Sequence, residues 1–101
     1  MGSRLTLQTM LEELLGSRNV YFQPPASINL LYPAIVYSRS KIENVFADDT
    51  VYKQDKSYEL TIIDEDPDSE IVDKISKLPK CRYERHFVSD NLNHDVFILF
   101  W

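Results

Sequence analysis

Apolar residues recur at helical spacing at the start of the chain and define the first predicted element. The spacing indicates an amphipathic helix over residues 4–16, with glutamate and glutamine on the opposite side. Gly16 supplies a C-terminal stop, because glycine adopts positive φ without a Cβ clash. The apolar stripe of this helix consists of Leu7, Met10, Leu11, Leu14 and Leu15.

A second helix is indicated past the middle of the chain by capping residues and by the order of charges. Asp66 is placed to act as the N-cap, and Pro67 suits the first helical position, where an amide hydrogen has no helical partner. Pro79 is expected to stop the helix. The predicted buried face consists of Ile71, Ile75 and Leu78, and the lysines that complement the helix dipole are Lys74, Lys77 and Lys80.

Runs rich in β-branched and aromatic residues predict the strands. Residues 20–23 form a short strand or an extended lead-in, which Pro24-Pro25 ends because proline has no amide hydrogen to donate. Residues 34–46 form a longer strand that weakens or bulges near Ser40-Lys41. Residues 58–63 form the clearest strand, and we expect it to return antiparallel against 34–46 through a charged connection that includes an Asp48-Asp49-Thr50 turn.

Two further strands close the chain. Residues 81–88 and 95–101 are predicted to be joined by a polar, turn-rich link over 89–94. The last strand is apolar on both faces, which is typical of a strand that is central in a covered sheet or pressed against another subunit. The order α-β-β(-β)-α-β-β favours an α+β fold, with two helices on one face of a mainly antiparallel sheet and a single domain over 1–101.

Composition narrows the classes of function. The chain has 101 residues, with 44% hydrophobic and 27% charged residues, as in ordinary globular proteins. Its net charge of -5 argues against a general nucleic-acid binder, and we expect no sequence-specific nucleic-acid binding. No apolar run approaches the length of a membrane span, so no membrane association is expected. The single cysteine, Cys81, excludes an internal disulfide framework and indicates a reducing compartment.

The run of acidic residues resembles a calcium-binding loop but lacks residues that such a loop requires. The acidic run over 64–70 echoes a calcium loop, but Pro67 interrupts it, Ser69 replaces the required glycine and Ile75 stands at the bidentate glutamate position. A capped helix start explains the run better. We therefore predict no metal site there.

The remaining polar residues are poor candidates for a zinc site or a nucleophilic site. Cys81 and His86 are the only approximate metal-ligand pair, with His94 as a distant third, and an odd separation in a strand directs the pair to opposite faces. Ser89, His94 and Asp95 share one hairpin without a nucleophile elbow or a glycine pair for an oxyanion site. His94 is more simply a turn residue bonded to the backbone. We predict no catalytic residues, no cofactor and no metal, and that the protein is not an enzyme.

Five short segments of the sequence resemble segments of known proteins, in addition to the order of helices and strands. They are 19–25 (NVYFQPP), 32–37 (YPAIVY), 46–52 (FADDTVY), 58–69 (YELTIIDEDPDS) and 90–97 (DNLNHDVF). They resemble small proteins of siphophages and prophages of Gram-positive bacteria that act as tail-completion, tail-terminator or minor capsid (head–tail joining) proteins. The resemblance spans nearly the whole chain, and its motifs are structural rather than catalytic.

The resemblance implies a structural virion protein in the tail or neck, made in the bacterial host cytoplasm. It implies a homo-oligomeric ring, commonly a hexamer, that caps the tail tube of major tail protein and docks to the head-completion or connector protein. A ring needs two complementary patches on each subunit. The candidate interface residues, from the charged hairpin and the aromatic C-terminal strand, are Phe46, Asp48, Asp49, Tyr52, Lys53, Phe100 and Trp101. A small non-viral adaptor or inhibitor that binds a single protein is the alternative.

Overall fold

The computed structural model describes residues 3–25, 28–47 and 50–101, and within 41–47 and 50–55 it describes the backbone alone. Two helices and five strands alternate in the order α-β-β-β-α-β-β, which confirms the predicted α+β class. The elements are α1 (Arg4–Leu15), β1 (Val20–Phe22), β2 (Ala34–Ala47), β3 (Thr50–Asp64), α2 (Glu70–Ser76), β4 (Cys81–Ser89) and β5 (Leu92–Phe100).

Helix α1 begins and ends at capping residues that are recognisable in the sequence. The Ser3 hydroxyl accepts a hydrogen bond from the Thr6 amide at 3.2 Å, which satisfies one of the unpaired amides of the first turn. At the other end Gly16 adopts φ 81° and its amide donates to the Glu12 carbonyl at 2.9 Å. This is the left-handed C-terminal cap for which glycine is favoured.

The five strands form one sheet in the order β1-β2-β3-β5-β4. Only β1 and β2 run parallel, and the other neighbours are antiparallel. Strand β5 lies between β3 and β4, which agrees with its being apolar on both faces. The register of β2 against β3 shifts between Arg39 and Lys41, at the irregularity predicted near Ser40-Lys41.

The core lies between the helices and one face of the sheet, called here the helix-covered face. Leu7 and Leu11 from α1 and Ile75 from α2 enter a single cluster with the sheet. Both helices therefore pack on the same face, as predicted. The strand residues of the cluster, nearly all of them fully buried, are Val20, Ile35, Tyr37, Tyr58, Leu60, Ile62, Phe97 and Leu99.

The connection from β1 to β2 passes over the other side of the sheet, called here the outer face. Val20 and Phe22 contact the core, so the intervening Tyr21 points to the outer face. The Leu31 amide donates to the Tyr21 hydroxyl at 3.4 Å, which places this part of the connection over β1. The connection covers the β1 side of the outer face, while the β4 residues from Arg82 to Ser89 are exposed.

The predicted start of the second helix is wrong. Asp66 is not its N-cap, because the carboxylates of Asp64 and Asp66 accept the amides two residues further on, at 3.1 and 2.9 Å. These bonds hold residues 64–68 in successive turns. The helix begins later, where the Ser69 hydroxyl accepts the Ile71 amide at 3.3 Å.

Two strand boundaries also differ from the predictions. Strand β3 begins at Thr50, so most of the expected charged connection before residue 58 is strand paired with β2. Strand β5 begins at Leu92, because Asp90 and Asn91 form a two-residue turn with φ of 52° and 61°. Asn and Asp tolerate this left-handed conformation better than most residues, and the tight turn shortens the predicted link to two residues.

A buried hydroxyl joins α1 to the sheet. The Tyr37 hydroxyl donates to Gln8 Oε1 and accepts from Arg4 Nη1 at 3.2 Å. Burial raises the pKa of Tyr37, although the neighbouring Arg4 opposes the shift. Gln8 Nε2 continues the network by donating to the Val20 carbonyl at 3.0 Å. The network fixes the position of α1 against β1 and β2.

Tyr37→Phe is expected to lower the free energy of unfolding by about 1–2 kcal/mol, because it leaves the partly buried Gln8 side-chain oxygen without its donor. Urea denaturation measures the change. Tyr21→Phe is the matched control, since the Tyr21 hydroxyl accepts only the long bond from the Leu31 amide. Equal losses in the two variants would contradict the role given to the network.

Candidate oligomerisation surfaces

The hairpin of β2 and β3 extends beyond the rest of the sheet. Strand β5 pairs with β3 only over Ser57–Asp64, and β1 pairs with β2 only over Ile35–Tyr37. From the Glu43–Asp55 pair onwards, the two strands pair only with each other among the described strands. Residues 43–47 and 50–55 are called the arm. The molecule measures 51 × 27 × 24 Å along its principal axes, which is long for a chain of this size.

The arm contains three of the seven predicted interface residues. Phe46, Tyr52 and Lys53 lie on its strands, where the backbone is described. Asp48 and Asp49 lie outside the described residues. An isolated two-stranded ribbon is marginally stable in water, so a ribbon that leaves its own sheet is typical of a segment that contacts another molecule. The contact of this hairpin with another molecule and the roles of its side chains stay predictions.

Strand β4 forms one edge of the sheet, and its residues from Arg82 to Ser89 are all exposed. Tyr83, Phe87 and Val88 are 52%, 40% and 61% exposed, so large apolar side chains are concentrated here. The only interruption is a bulge at Glu84, where the register against β5 shifts. The edge therefore offers both backbone hydrogen-bonding groups and apolar area.

The outer face beside this edge carries an aromatic and charged group of side chains. The Phe87 ring stacks on the His94 ring with centroids 4.5 Å apart and planes 14° apart. Arg85 Nη2 lies 3.6 Å from Glu59 Oε1, and both side chains are partly exposed. Phe100 is 37% exposed at the end of β5. Of the predicted C-terminal interface residues, Phe100 is thus placed where a partner could reach it.

Trp101, the other predicted C-terminal interface residue, makes contacts within the chain. Its indole Nε1 donates to the Ser3 carbonyl at 3.0 Å, and its amide donates to the Lys56 carbonyl at 3.0 Å. The ring packs against the core cluster and is partly buried. Trp101 therefore joins the end of the chain to the start of α1.

The polar candidates for chemistry are separated by the fold. The bulge at Glu84 corrects the parity argument, because it places Cys81 and His86 on the same face, opposite Leu99 and Asp95. Those partners are four residues apart, about 13 Å along a strand, so the pair is too distant to share a metal. Among the described residues, no group of three His, Cys, Asp or Glu side chains could hold a metal ion.

The nucleophilic candidates do not form a catalytic arrangement in the described part of the chain. His94 and Asp95 are consecutive in β5 and point to opposite faces. His94 Nδ1 lies 3.1 Å from the Leu92 carbonyl, which confirms a backbone bond but places His94 in a strand rather than in a turn. Asp95 instead accepts the Tyr83 hydroxyl at 3.1 Å. Burial raises the pKa of the Cys81 thiol, which disfavours the nucleophilic thiolate.

Comparisons with protein-family models, with curated proteins and with solved structures gave no match to this chain. Among the described helices, none is long and apolar enough to cross a membrane. The arm and the β4 edge are therefore the described structural features from which a function can be proposed, together with the resemblance of the five sequence segments.

The β4 edge was missed by the sequence reasoning. A usable signal exists, because Arg82, Glu84 and Arg85 place three charges in a strand that also contains Tyr83 and Phe87. Charged residues interleaved with aromatic ones are typical of an edge strand. The local sequence does not show the order in which the strands pair, and that order makes β4, rather than β5, the edge strand.

Proposed function

We propose that the protein is a structural subunit of a tailed-phage virion, acting in a homo-oligomeric ring as tail terminator or tail-to-head joining protein. In this role a ring of copies, commonly six, caps the tail tube of major tail protein and docks to the head connector. The resemblance of five segments to that class of proteins supports the assignment. The protein has no catalytic part in this role.

One structural observation supports assembly in particular. Each copy has two different features that can meet a neighbour: the arm, whose strands pair only with each other among the described strands, and the exposed β4 edge with its aromatic neighbours. A contact between two different patches is heterologous, and it closes into a ring when the rotation between subunits divides a full turn. A protein with a single self-complementary patch would instead form a two-fold dimer.

The proposal is tested by adding the purified protein to polymerising tail tubes of a siphophage major tail protein. We expect one end of each tube to carry a ring visible by negative-stain electron microscopy, and tube growth to stop at that end. Native mass spectrometry of the complex is expected to show several copies of the chain, six in a hexamer. Tubes that grow unchanged and carry no ring would overturn the proposal.

The adaptor or inhibitor alternative predicts a different stoichiometry. A monomer that does not associate at high concentration and that binds one partner protein in a 1:1 complex would favour it. Sedimentation velocity over a wide concentration range separates the two cases when it is combined with the tube experiment, because a ring protein can be monomeric until it meets the tube.

A further inference from the structure

The outer edge of β4 has backbone groups directed to solvent at known positions. Asp90 and Asn91 form the two-residue turn of the β4–β5 hairpin, so the closing pair Ser89–Leu92 exchanges hydrogen bonds. In an antiparallel ladder bonded and non-bonded pairs alternate. His86 is therefore in a non-bonded pair with Asp95.

His86 and Val88 accordingly direct their amide and carbonyl groups away from β5. No described strand pairs with this side of β4. Residues 85–89 follow the bulge at Glu84 and form a regular stretch of five residues. Such a row of unpaired groups is a template for an added strand from another chain.

The opposite edge strand of the sheet, β1, does not offer a comparable row of unpaired backbone groups. Strand β1 pairs over three residues only, from Val20 to Phe22. Pro24-Pro25 follow it closely and lack amide hydrogens, so an added strand cannot continue along that edge. Of the two edge strands of the sheet, β1 and β4, β4 is therefore the one suited to strand addition.

The net positive charge of the β4 edge favours an added strand that is acidic. Residues 80–89 contain Lys80, Arg82 and Arg85 against Glu84, a net charge of +2. The ion pairs of Arg82 with Glu84, at 3.7 Å, and of Arg85 with Glu59 are exposed. Exposed pairs of this kind contribute little stability, so the arginines can exchange these partners for others.

The sequence segment 43–55, which is the arm together with Asp48 and Asp49, has the opposite charge, and the arm has a matching length. Residues 43–55 contain four acidic residues and one lysine, a net charge of -3. The strand segment 43–47 is five residues long, with one register shift against β3 between Val45 and Phe46, and the regular stretch 85–89 of β4 has the same length. Both strands of the arm also have an edge that no described strand pairs. An acidic ribbon with free backbone groups is complementary to a basic strand with free backbone groups.

We propose that the arm of one copy adds as a strand to the β4 edge of a second copy, so that the sheet continues from subunit to subunit. This inference rests on the proposed assembly and specifies its contact. Main-chain hydrogen bonds to residues such as His86 and Val88 provide the pairing, and the acidic arm facing the basic β4 strand sets the partner. The arm and the edge lie on different parts of each copy, so the contact repeats.

Two variants each remove one half of this contact. In the edge-blocked variant, His86→Pro removes an outward amide without breaking a hydrogen bond to β5. In the arm-trimmed variant, residues 44–54 are replaced by Asn-Gly, which forms a two-residue turn closed by the Glu43–Asp55 pair. His86→Ala is the matched control, because it removes the same side chain and keeps the amide.

Native mass spectrometry of each variant alone and of the mixture tests the proposal, with circular dichroism to establish that each variant is folded. Each variant alone is expected to be monomeric. Their mixture is expected to form a 1:1 heterodimer, because the intact arm of the edge-blocked variant meets the intact edge of the arm-trimmed one. His86→Ala is expected to associate like the unchanged protein. Val88→Pro replaces His86→Pro if the latter does not fold.

Several outcomes would overturn the inference. They are a mixture that stays monomeric at millimolar concentration, an arm-trimmed variant that dimerises alone through β4, and an edge-blocked variant that associates like the unchanged protein. The tail-tube experiment is independent of these. An arm-trimmed protein that still caps tubes would overturn the arm contact and leave the proposed function standing. Formation of the heterodimer together with failure of the unchanged protein to cap tubes would do the reverse.

Discussion

Phe97→Ala is expected to lower the free energy of unfolding by about 3–5 kcal/mol, the usual cost of removing a fully buried aromatic ring. Phe97 is 0% exposed and lies in the interior strand β5, where its ring is part of the core cluster on the helix-covered face. The Tyr83 ring packs edge-on against it at 5.2 Å between centroids. A domain of this size has only about 5–15 kcal/mol of stability, so much of it depends on this one ring.

Urea denaturation followed by circular dichroism measures the effect of Phe97→Ala. Phe97→Leu keeps most of the buried volume and is expected to cost less than about 2 kcal/mol. Val88→Ala, on the exposed neighbouring strand, is expected to change stability by no more than about 0.5 kcal/mol. A loss below about 1.5 kcal/mol for Phe97→Ala would show that the Phe97 ring is not tightly packed in the core cluster.

Trp101→Ala is expected to lower the free energy of unfolding by about 2–3 kcal/mol, less than a fully buried tryptophan because the ring is only partly covered. The loss combines the packing of the ring on the core with the hydrogen bond from Nε1 to the Ser3 carbonyl. Trp101→Phe removes that bond and keeps most of the ring, so we expect a loss of about 1 kcal/mol. Thermal or urea unfolding of the three proteins measures these differences.

Phe100→Ala is the matched comparison for Trp101→Ala, because the two residues are adjacent and have different surroundings. Phe100 lies outside the core cluster and is 37% exposed. We expect its removal to leave stability within about 1 kcal/mol and to weaken association measured by native mass spectrometry. If Trp101→Ala abolishes association in a protein that remains fully folded, Trp101 belongs to the interface as well.

In the described part of the chain, the polar residues considered for chemistry make contacts that stabilise the fold. Asp64 and Asp66 use their carboxylates to cap nearby amides, and Asp95 accepts the Tyr83 hydroxyl. His94 stacks on Phe87 and is near a backbone carbonyl. These side chains have structural contacts that explain their presence, and the prediction that the protein is not an enzyme stays a prediction.

The amino-acid sequence by itself determined the elements whose signals are local. The stripe of leucines and Gly16 defined α1, because helical spacing and a left-handed cap depend only on neighbouring residues. The prolines at 24 and 25 ended β1 for the same reason. The fold class followed from the order of these elements, and the irregularity near Ser40-Lys41 was also visible.

Tertiary structure decided the features that depend on competing or distant partners. Asp66 and Ser69 are both acceptable N-caps, and the turns formed by Asp64 and Asp66 decide between them. The bulge at Glu84, which reverses the face of every later residue in β4, arises from pairing with β5 and has no marker in the local pattern.

The same distinction applies to the candidate surfaces. A charged hairpin and an aromatic C-terminal end were identified from the sequence, but Trp101 turned inward and Phe100 did not. The length of the arm and the open edge of β4 follow from which strands stop pairing, and that depends on residues far apart in the chain. Local spacing could therefore place the elements, while the position of the free backbone groups required the whole sheet.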